Sequence, residues 1–232
     1  MPGTLGYAIW LAGSILELAV VVSAVKKHSF RRYLCLNLYM LFSVIVSAAR
    51  FQTLAQYGLH SKQYTYVYYY SDAVLTIFLY LALITLYLHV FDEMQVEKYV
   101  RLTALLLLAG TALFSYAVVQ QSSHKMLTVF SYELSQNLYF VGLVLTYVLW
   151  GAILKLRETR TQLIQLVLSL GIYFSAFAAT YALQNMYPSF SRSFSYVVPV
   201  FGCLLPLAWA YAFWRLSPDA RMAPARLVVV PR

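Results

Sequence analysis

Charged residues are scarce in this chain. Lysine, arginine, aspartate and glutamate make up 11% of its 232 residues, whereas 62% are hydrophobic. A soluble domain carries about 25% charged residues, so the deficit indicates that lipid surrounds the protein. A net charge of +9 would suggest a nucleic-acid partner for a soluble protein. Here the charges fall in a few short loops, and we expect a lipid bilayer rather than a nucleic acid.

Cysteine and the common catalytic motifs are also missing. Two cysteines, Cys35 and Cys203, exclude a disulfide framework and match no metal-binding spacing. The sequence contains no H-E-x-x-H, G-x-S-x-G, Walker or dinucleotide-binding motif. No lysine lies in the interior of a predicted helix, which excludes a retinal Schiff base. We therefore expect no metal, no cofactor and no catalytic residue of a known motif.

Long apolar runs are what the sequence does have. A bilayer core of roughly 30 Å needs about 20 apolar residues per helix. Seven such runs predict an all-α polytopic membrane protein with one transmembrane domain, 1–215, followed by a short basic tail, 216–232. The predicted helices cover 5–25, 33–57, 66–91, 100–120, 127–154, 161–184 and 194–215.

Basic residues are distributed unevenly between the two sets of loops. The first, third and fifth loops and the C-terminal tail hold 13 of the 17 lysines and arginines. Because cytoplasmic loops are enriched in these residues, this distribution predicts an N-terminus outside and a C-terminus in the cytoplasm. Every asparagine lacks the glycosylation sequon N-x-S/T, which favours a bacterial inner membrane over a secretory-pathway membrane.

Three charged residues are predicted at one level near the outer boundary of the membrane. Arg50, Asp72 and Glu133 lie on the second, third and fifth predicted helices, and Asn137 is one turn from Glu133. Asp72 follows a tyrosine-rich stretch, 64–70, that is typical of an interfacial aromatic belt. The residues form either an outer polar cluster that lines a cavity or separate, individually hydrated charges.

Glu17 is predicted to lie deeper than the other charged residues. It is nine residues from Lys26, about 13 Å along a helix, and no basic residue is expected at its depth. We therefore predict that its carboxyl group is protonated and donates a hydrogen bond, for which a backbone carbonyl freed by Pro206 is an acceptor. This is either one structural hydrogen bond or a buried proton or ligand site. Polar groups at similar depth include Ser43, Ser169 and Tyr173.

Two prolines in the last helix predict a kink. Pro199 and Pro206 are seven residues apart and share a helix face. Such a kink is either a packing feature or a gating hinge. Small and hydroxyl residues at helical spacing on the second, third and sixth helices either pack helices together or line a polar cavity.

The segment YYSDAVLTIFLYLALITLYLHVFDE, 69–93, carries a resemblance at the level of hydropathy and aromatic content. The chain resembles short seven-helix bacterial membrane proteins of unknown function. It is also similar in outline to the seven-helix sensory regions that precede histidine kinases. The resemblance implies a sensory membrane bundle and assigns no functional residue.

Three functions fit the sequence. The first is a non-enzymatic sensor or accessory subunit that binds a ligand, a membrane-protein partner or a second copy of itself. The second is a small-solute or proton-coupled carrier that uses Glu17 as its proton site. The third is a lipid-acting enzyme with Asp72 and Glu133 as an acid/base pair.

Overall fold

The computed structural model describes residues 4–27, 29–59, 61–120, 126–187, 191–216 and 220–221. Within these residues the fold is all-helical and has seven α-helices, which confirms the predicted fold class at this level. One turn of 3-10 helix, Asp92–Met94, joins α3 to α4. The α-helices are α1 (Thr4–Lys26), α2 (Leu34–Tyr57), α3 (Lys62–Val90), α4 (Glu97–Gln120), α5 (Met126–Leu156), α6 (Thr161–Met186) and α7 (Ser191–Arg215).

Six helices, α1 to α6, are long and apolar enough to cross a membrane. Their mean hydropathy lies between 1.7 and 2.2. In α7 the described apolar stretch, Val200–Arg215, is shorter than the others. The chain is therefore an integral membrane protein by the length and composition of its helices.

The start of α3 differs from the predicted one because a capping residue, rather than the start of the apolar run, sets it. Helix α3 begins at Lys62, four residues before the apolar run. The Ser61 hydroxyl caps it by accepting a hydrogen bond from the Tyr64 backbone N–H at 3.1 Å. Tyr64, which precedes the predicted helix, is consequently part of α3 together with the other tyrosines of 64–70.

Six of the helices form a closed ring in the order α1, α2, α3, α5, α6, α7 and back to α1. Helix α4 lies outside this ring, against α5 and, less extensively, α3. Across the ring, α3 also touches α6. The largest fully buried side chains include Trp209, Phe174 and Phe213, so large aromatic residues fill the centre.

The first, third and fifth connections meet the chain after α7 at one end of the bundle. Tyr33, which precedes α2, stacks on His89 near the end of α3 with ring centroids 5.0 Å apart. Arg160, between α5 and α6, donates to the His89 carbonyl at 2.8 Å. The Thr161 N–H donates to the Ala220 carbonyl at 3.0 Å. We call this the basic end, because the described residues there include Lys26, Lys27, Arg31, Arg32, Lys98, Arg101, Lys155, Arg157, Arg160, Arg215 and Arg221.

Candidate functional site

Arg50 and Asp72 face each other in the half of the bundle away from the basic end. The turn between α2 and α3 contains Gly58 with φ 79°, a conformation that favours glycine. This turn makes the two helices antiparallel neighbours, and Arg50 Nη2 lies 3.8 Å from Asp72 Oδ1. Both side chains are about one-fifth exposed, at 21% and 22%. A separation of 3.8 Å is longer than a hydrogen bond, so the pair is loose.

The Arg50 guanidinium is held mainly by α3. Its Nε donates to the Ser71 hydroxyl at 2.8 Å, and its Nη2 donates to the Tyr68 carbonyl at 3.0 Å. Its central carbon lies 4.4 Å from the centroid of the Tyr68 ring, a cation–π distance. These contacts fix the orientation of the guanidinium independently of Asp72.

Asp72 is connected to the opposite side of the ring through Tyr181 of α6. The Tyr181 hydroxyl donates to Asp72 Oδ2 at 3.4 Å. The Tyr181 ring stacks on Tyr139 of α5 at 5.5 Å and meets Tyr132 edge-on at 5.4 Å. The carboxylate thus contacts Tyr181 of α6 across the interior of the bundle, and the Tyr181 ring in turn contacts two tyrosines of α5.

A group of aromatic residues continues from Tyr181 into the middle of the bundle. Tyr173 stacks on Phe177 at 4.4 Å, and Tyr139 stacks on Phe177 at 5.1 Å. The Tyr39 hydroxyl of α2 faces that of Tyr173, and the Tyr39 ring meets Trp209 edge-on at 6.2 Å. Tyr39, Tyr139 and Tyr173 are all buried.

Ser43 lies one helical turn from Tyr39 on α2, in the direction of Arg50, and contacts Glu17 of α1. The Ser43 hydroxyl donates to Glu17 Oε1 at 2.6 Å. Glu17 Oε2 is buried and has no hydrogen-bond partner in the described part of the chain. The expected donation from Glu17 to a carbonyl near Pro206 was wrong: in the described residues Glu17 accepts a hydrogen bond from α2, because the Ser43 hydroxyl lies within reach of its carboxyl group.

Eight side chains form one polar tract inside the ring, from the Arg50–Asp72 pair to Glu17. Its members come from α1, α2, α3, α5 and α6, and each contacts or lies one helical turn from the next. We define the polar tract as Arg50, Asp72, Tyr181, Tyr139, Tyr173, Tyr39, Ser43 and Glu17.

Ser169, Glu133 and Asn137, also predicted site residues, lie apart from the two charged ends of the tract. Ser169 donates to the Leu166 carbonyl of its own helix at 2.9 Å. Asn137 donates to the Ser115 hydroxyl at 3.0 Å and so faces α4. Glu133 is half-buried and forms no ion pair or hydrogen bond with Arg50 or Asp72.

The two proline positions lie within one uninterrupted helix, α7. Pro206 is buried, whereas the side chain of Pro199 lies outside the described residues. The predicted hinge remains a prediction.

Tyr173 was predicted as a site residue, but the sequence reasoning missed the other tyrosines of the tract, Tyr39, Tyr139 and Tyr181. Tyr173, Phe177 and Tyr181 recur every fourth residue on α6, and this spacing was the available signal. Tyr39 and Tyr139 carry no such signal, because a single tyrosine in an apolar helix does not show which way it faces.

A separate ion pair stabilises the basic end. Arg160 Nε donates to Glu158 Oε1 at 2.9 Å, and the Thr159 and Arg160 N–H groups donate to the same oxygen at 2.9 and 2.8 Å. The Arg160 hydrogen bond, followed by the backbone N–H groups, holds the pKa of Glu158 below its usual value. The pair joins the α5–α6 connection to the end of α3 through His89.

No group of three or more histidine, cysteine, aspartate or glutamate side chains is arranged to hold a metal ion in the part of the chain that the structure describes. The polar tract instead offers hydroxyl, carboxyl and guanidinium groups among aromatic rings. Such groups can bind and orient a small molecule by hydrogen bonds and stacking.

No protein-family model matches this chain, and no curated protein or solved structure is significantly similar to it.

Proposed function

We propose that this chain is a non-enzymatic receptor of a bacterial inner membrane that binds a small polar ligand at the Arg50–Asp72 end of the polar tract. The observation that carries the proposal is the loose ion pair of Arg50 and Asp72, 3.8 Å apart and one-fifth exposed, inside a ring of helices. A mostly buried charge pair between membrane-spanning helices is costly and is a functional candidate by default. Because the pair is not closed by a direct hydrogen bond, each group retains capacity for a ligand.

The proposed topology has seven crossings, with the N-terminus outside and the C-terminus in the cytoplasm. It is supported by the basic end, where the odd-numbered connections and the chain after α7 meet. The positive-inside rule directs this end to the cytoplasm. Arg50 and Asp72 then lie toward the outside, where a soluble ligand arrives.

Topology is tested with reporter fusions. Green fluorescent protein fused after residue 232 should fluoresce, whereas alkaline phosphatase at the same point should be inactive. Alkaline phosphatase inserted after Gly58, between α2 and α3, should be active. The reverse pattern at both points would contradict the proposed orientation.

Ligand binding is tested by thermal stabilisation of the purified chain in nanodiscs. The intrinsic fluorescence of its four tryptophans reports unfolding, and the probes are amino acids, sugars, nucleosides and small organic acids. A ligand at one hundred times its Kd stabilises a protein by about 2.7 kcal/mol. We expect a probe of one class to raise the unfolding temperature of the wild type.

The same stabilisation should be lost in Arg50→Gln and Asp72→Asn. Arg101→Gln is the matched control, because Arg101 pairs with Glu97 on the exposed surface of α4. The receptor proposal is refuted if no probe stabilises the wild type, or if a stabilising probe acts equally on the Arg50 and Asp72 variants.

A proton-coupled carrier is the second candidate, and Glu17 is the observation in its favour. Its buried Oε2 has no hydrogen-bond partner among the described residues, so it is available to a proton or water. A carrier of this kind should acidify proteoliposomes when a solute gradient is applied, and Glu17→Gln should abolish the signal. If the internal pH of the proteoliposomes does not change with any probe that stabilises the protein, the receptor is favoured over the carrier.

A further inference from the structure

A groove runs along the outer surface of the bundle between α6 and α7. Its volume is about 510 Å³, within the range of small-molecule sites. Leu168 and Ile172 of α6 and Leu204 and Leu207 of α7 line its walls and are exposed, at 41% to 53%. Because these leucines and isoleucine face away from the helix ring, the groove opens sideways to the medium around the bundle.

The lining of the groove combines small and large side chains. At the basic end α6 and α7 are joined by Gln162, whose Nε2 donates to the Ala212 carbonyl at 3.4 Å. Ala176 of α6 and Ala208 of α7 both line the groove, at different levels. These small side chains leave room beside the larger lining residues.

The groove has polar groups on both walls and a cation close to one end. Gln165, Ser169 and Tyr173 of α6 and Tyr211 of α7 contribute polar side chains to a mainly apolar lining. Arg215 lies one turn after Tyr211 on α7, at the basic end, and is exposed. A mainly apolar groove with a basic residue one helical turn beyond its last lining residue matches an amphiphile with an anionic head, since basic pockets between transmembrane helices bind anionic headgroups.

We propose that this groove binds one acyl chain of an anionic phospholipid from the leaflet at the basic end, with the lipid phosphate paired to Arg215. This inference rests on one part of the proposed function, namely that α6 and α7 cross the bilayer. The groove is also connected to the proposed ligand site, because Tyr173 both lines the groove and belongs to the polar tract. An acyl chain against Tyr173 therefore contacts the same side chain that faces Tyr39.

Lipid occupancy is tested by native mass spectrometry of the full chain in mild detergent. The probes are phosphatidylglycerol and phosphatidylcholine with identical acyl chains. One basic residue near an anionic headgroup contributes about fivefold in affinity. We expect the wild type to retain one phosphatidylglycerol with about a fivefold preference over phosphatidylcholine.

Two sets of variants test the binding of the acyl chain and the recognition of the headgroup separately. Ala176→Phe should fill the groove and remove lipid retention, and the smaller Ala176→Leu should weaken it if the first variant unfolds. Ala179→Phe is the matched control, because Ala179 is exposed on the same helix and does not line the groove. Arg215→Gln should keep a bound lipid but lose the preference for phosphatidylglycerol, and Arg101→Gln should change neither.

The inference is overturned if Ala176→Phe and Ala179→Phe retain the same amount of lipid. It is also overturned if Arg215→Gln and Arg101→Gln have the same preference for phosphatidylglycerol, or if the wild type retains neither lipid. Failure here is distinguishable from failure of the receptor proposal. A wild type that retains neither lipid but is still stabilised by a soluble probe, with reporter fusions as expected, removes only the lipid groove.

Discussion

The hydrogen bond between Ser43 and Glu17 links α1 to α2 within the polar tract. Its distance is 2.6 Å, and the second carboxyl oxygen of Glu17 already lacks a partner in the described residues. Removing the hydroxyl would leave both oxygens of one buried carboxyl group without a protein partner. Buried polar atoms that lose a partner carry a full desolvation penalty.

We therefore predict that Ser43→Ala lowers the free energy of unfolding by about 1–3 kcal/mol. Ser47→Ala, one turn along α2 at a half-buried position, is the control and should have a smaller effect. Denaturant unfolding of the two variants and of a Ser43→Ala/Glu17→Gln double-mutant cycle measures the coupling. Additive single effects would show that the two side chains do not interact.

Glu158 gives the protein a stability that depends on pH. Its pKa is lowered below 4.5 by Arg160 and by backbone N–H groups. A carboxylate with a lowered folded pKa stabilises the protein above its unfolded pKa, and this contribution is lost as the pH falls through the folded pKa.

The stability difference between the wild type and Glu158→Gln should therefore be constant above about pH 5 and should shrink below about pH 4.5. Thermal unfolding between pH 3 and pH 7 measures this difference. Glu97→Gln on α4 is the control, since its ion pair with Arg101 is exposed. A difference that stays constant down to pH 3 would show that Glu158 has the same pKa in both states.

Helices α5 and α6 approach closely where Gly142 meets Phe174. A methyl group added at Gly142 would overlap the Phe174 ring, which is fully buried. Further along α5, Gly151 has no atom within 4 Å of the equivalent position. One helix thus contains a glycine required by packing and another that packing does not require.

We predict that Gly142→Ala destabilises the protein by about 1–3 kcal/mol through overpacking. Gly151→Ala should be neutral or stabilising by up to about 1 kcal/mol, because alanine favours the helix. Combining Gly142→Ala with Phe174→Leu should recover part of the loss. Equal effects of the two glycine substitutions in a denaturant titration would contradict the close approach.

The contact between α1 and α7 closes the ring and brings together the first and last helices of the chain. An added Cβ at Gly13 would lie 3.2 Å from Cys203 Sγ. Cysteines with Cβ atoms near 3.8 Å apart can form a disulfide bond, and this distance is compatible with such a bond. The other native cysteine, Cys35, lies on α2.

In a Cys35→Ala background, Gly13→Cys should form a disulfide with Cys203 on mild oxidation. The measurement is a gel shift reversed by reductant, after cleavage at a protease site inserted between α3 and α4. Gly110→Cys is the control, because Gly110 lies on α4, outside the ring, with nothing within 4 Å. Failure of Gly13→Cys to cross-link, or equal cross-linking of both variants, would contradict ring closure.

Helix number was predictable from the sequence because apolar runs of about 20 residues have one stable form in a bilayer. The basic end was foreseeable for a similar reason, since charged residues stay out of the apolar runs. Arg50 and Asp72 could be placed at one level by counting residues from the helix ends. Counting could not show that Asn137 faces Ser115 on α4, or that Glu133 stays apart from Arg50.

Amino-acid order alone predicts the helices, their approximate lengths and the level of each polar side chain along its helix, since rise per residue is constant along a helix. The tertiary structure decides which helices are neighbours and how each is rotated about its axis. It excludes α4 from the ring, gives Glu17 its partner Ser43, and joins Asp72 to Tyr181 across the interior. The physical reason is that apolar helices match lipid on every face, so the interdigitation of side chains between helices determines their rotation.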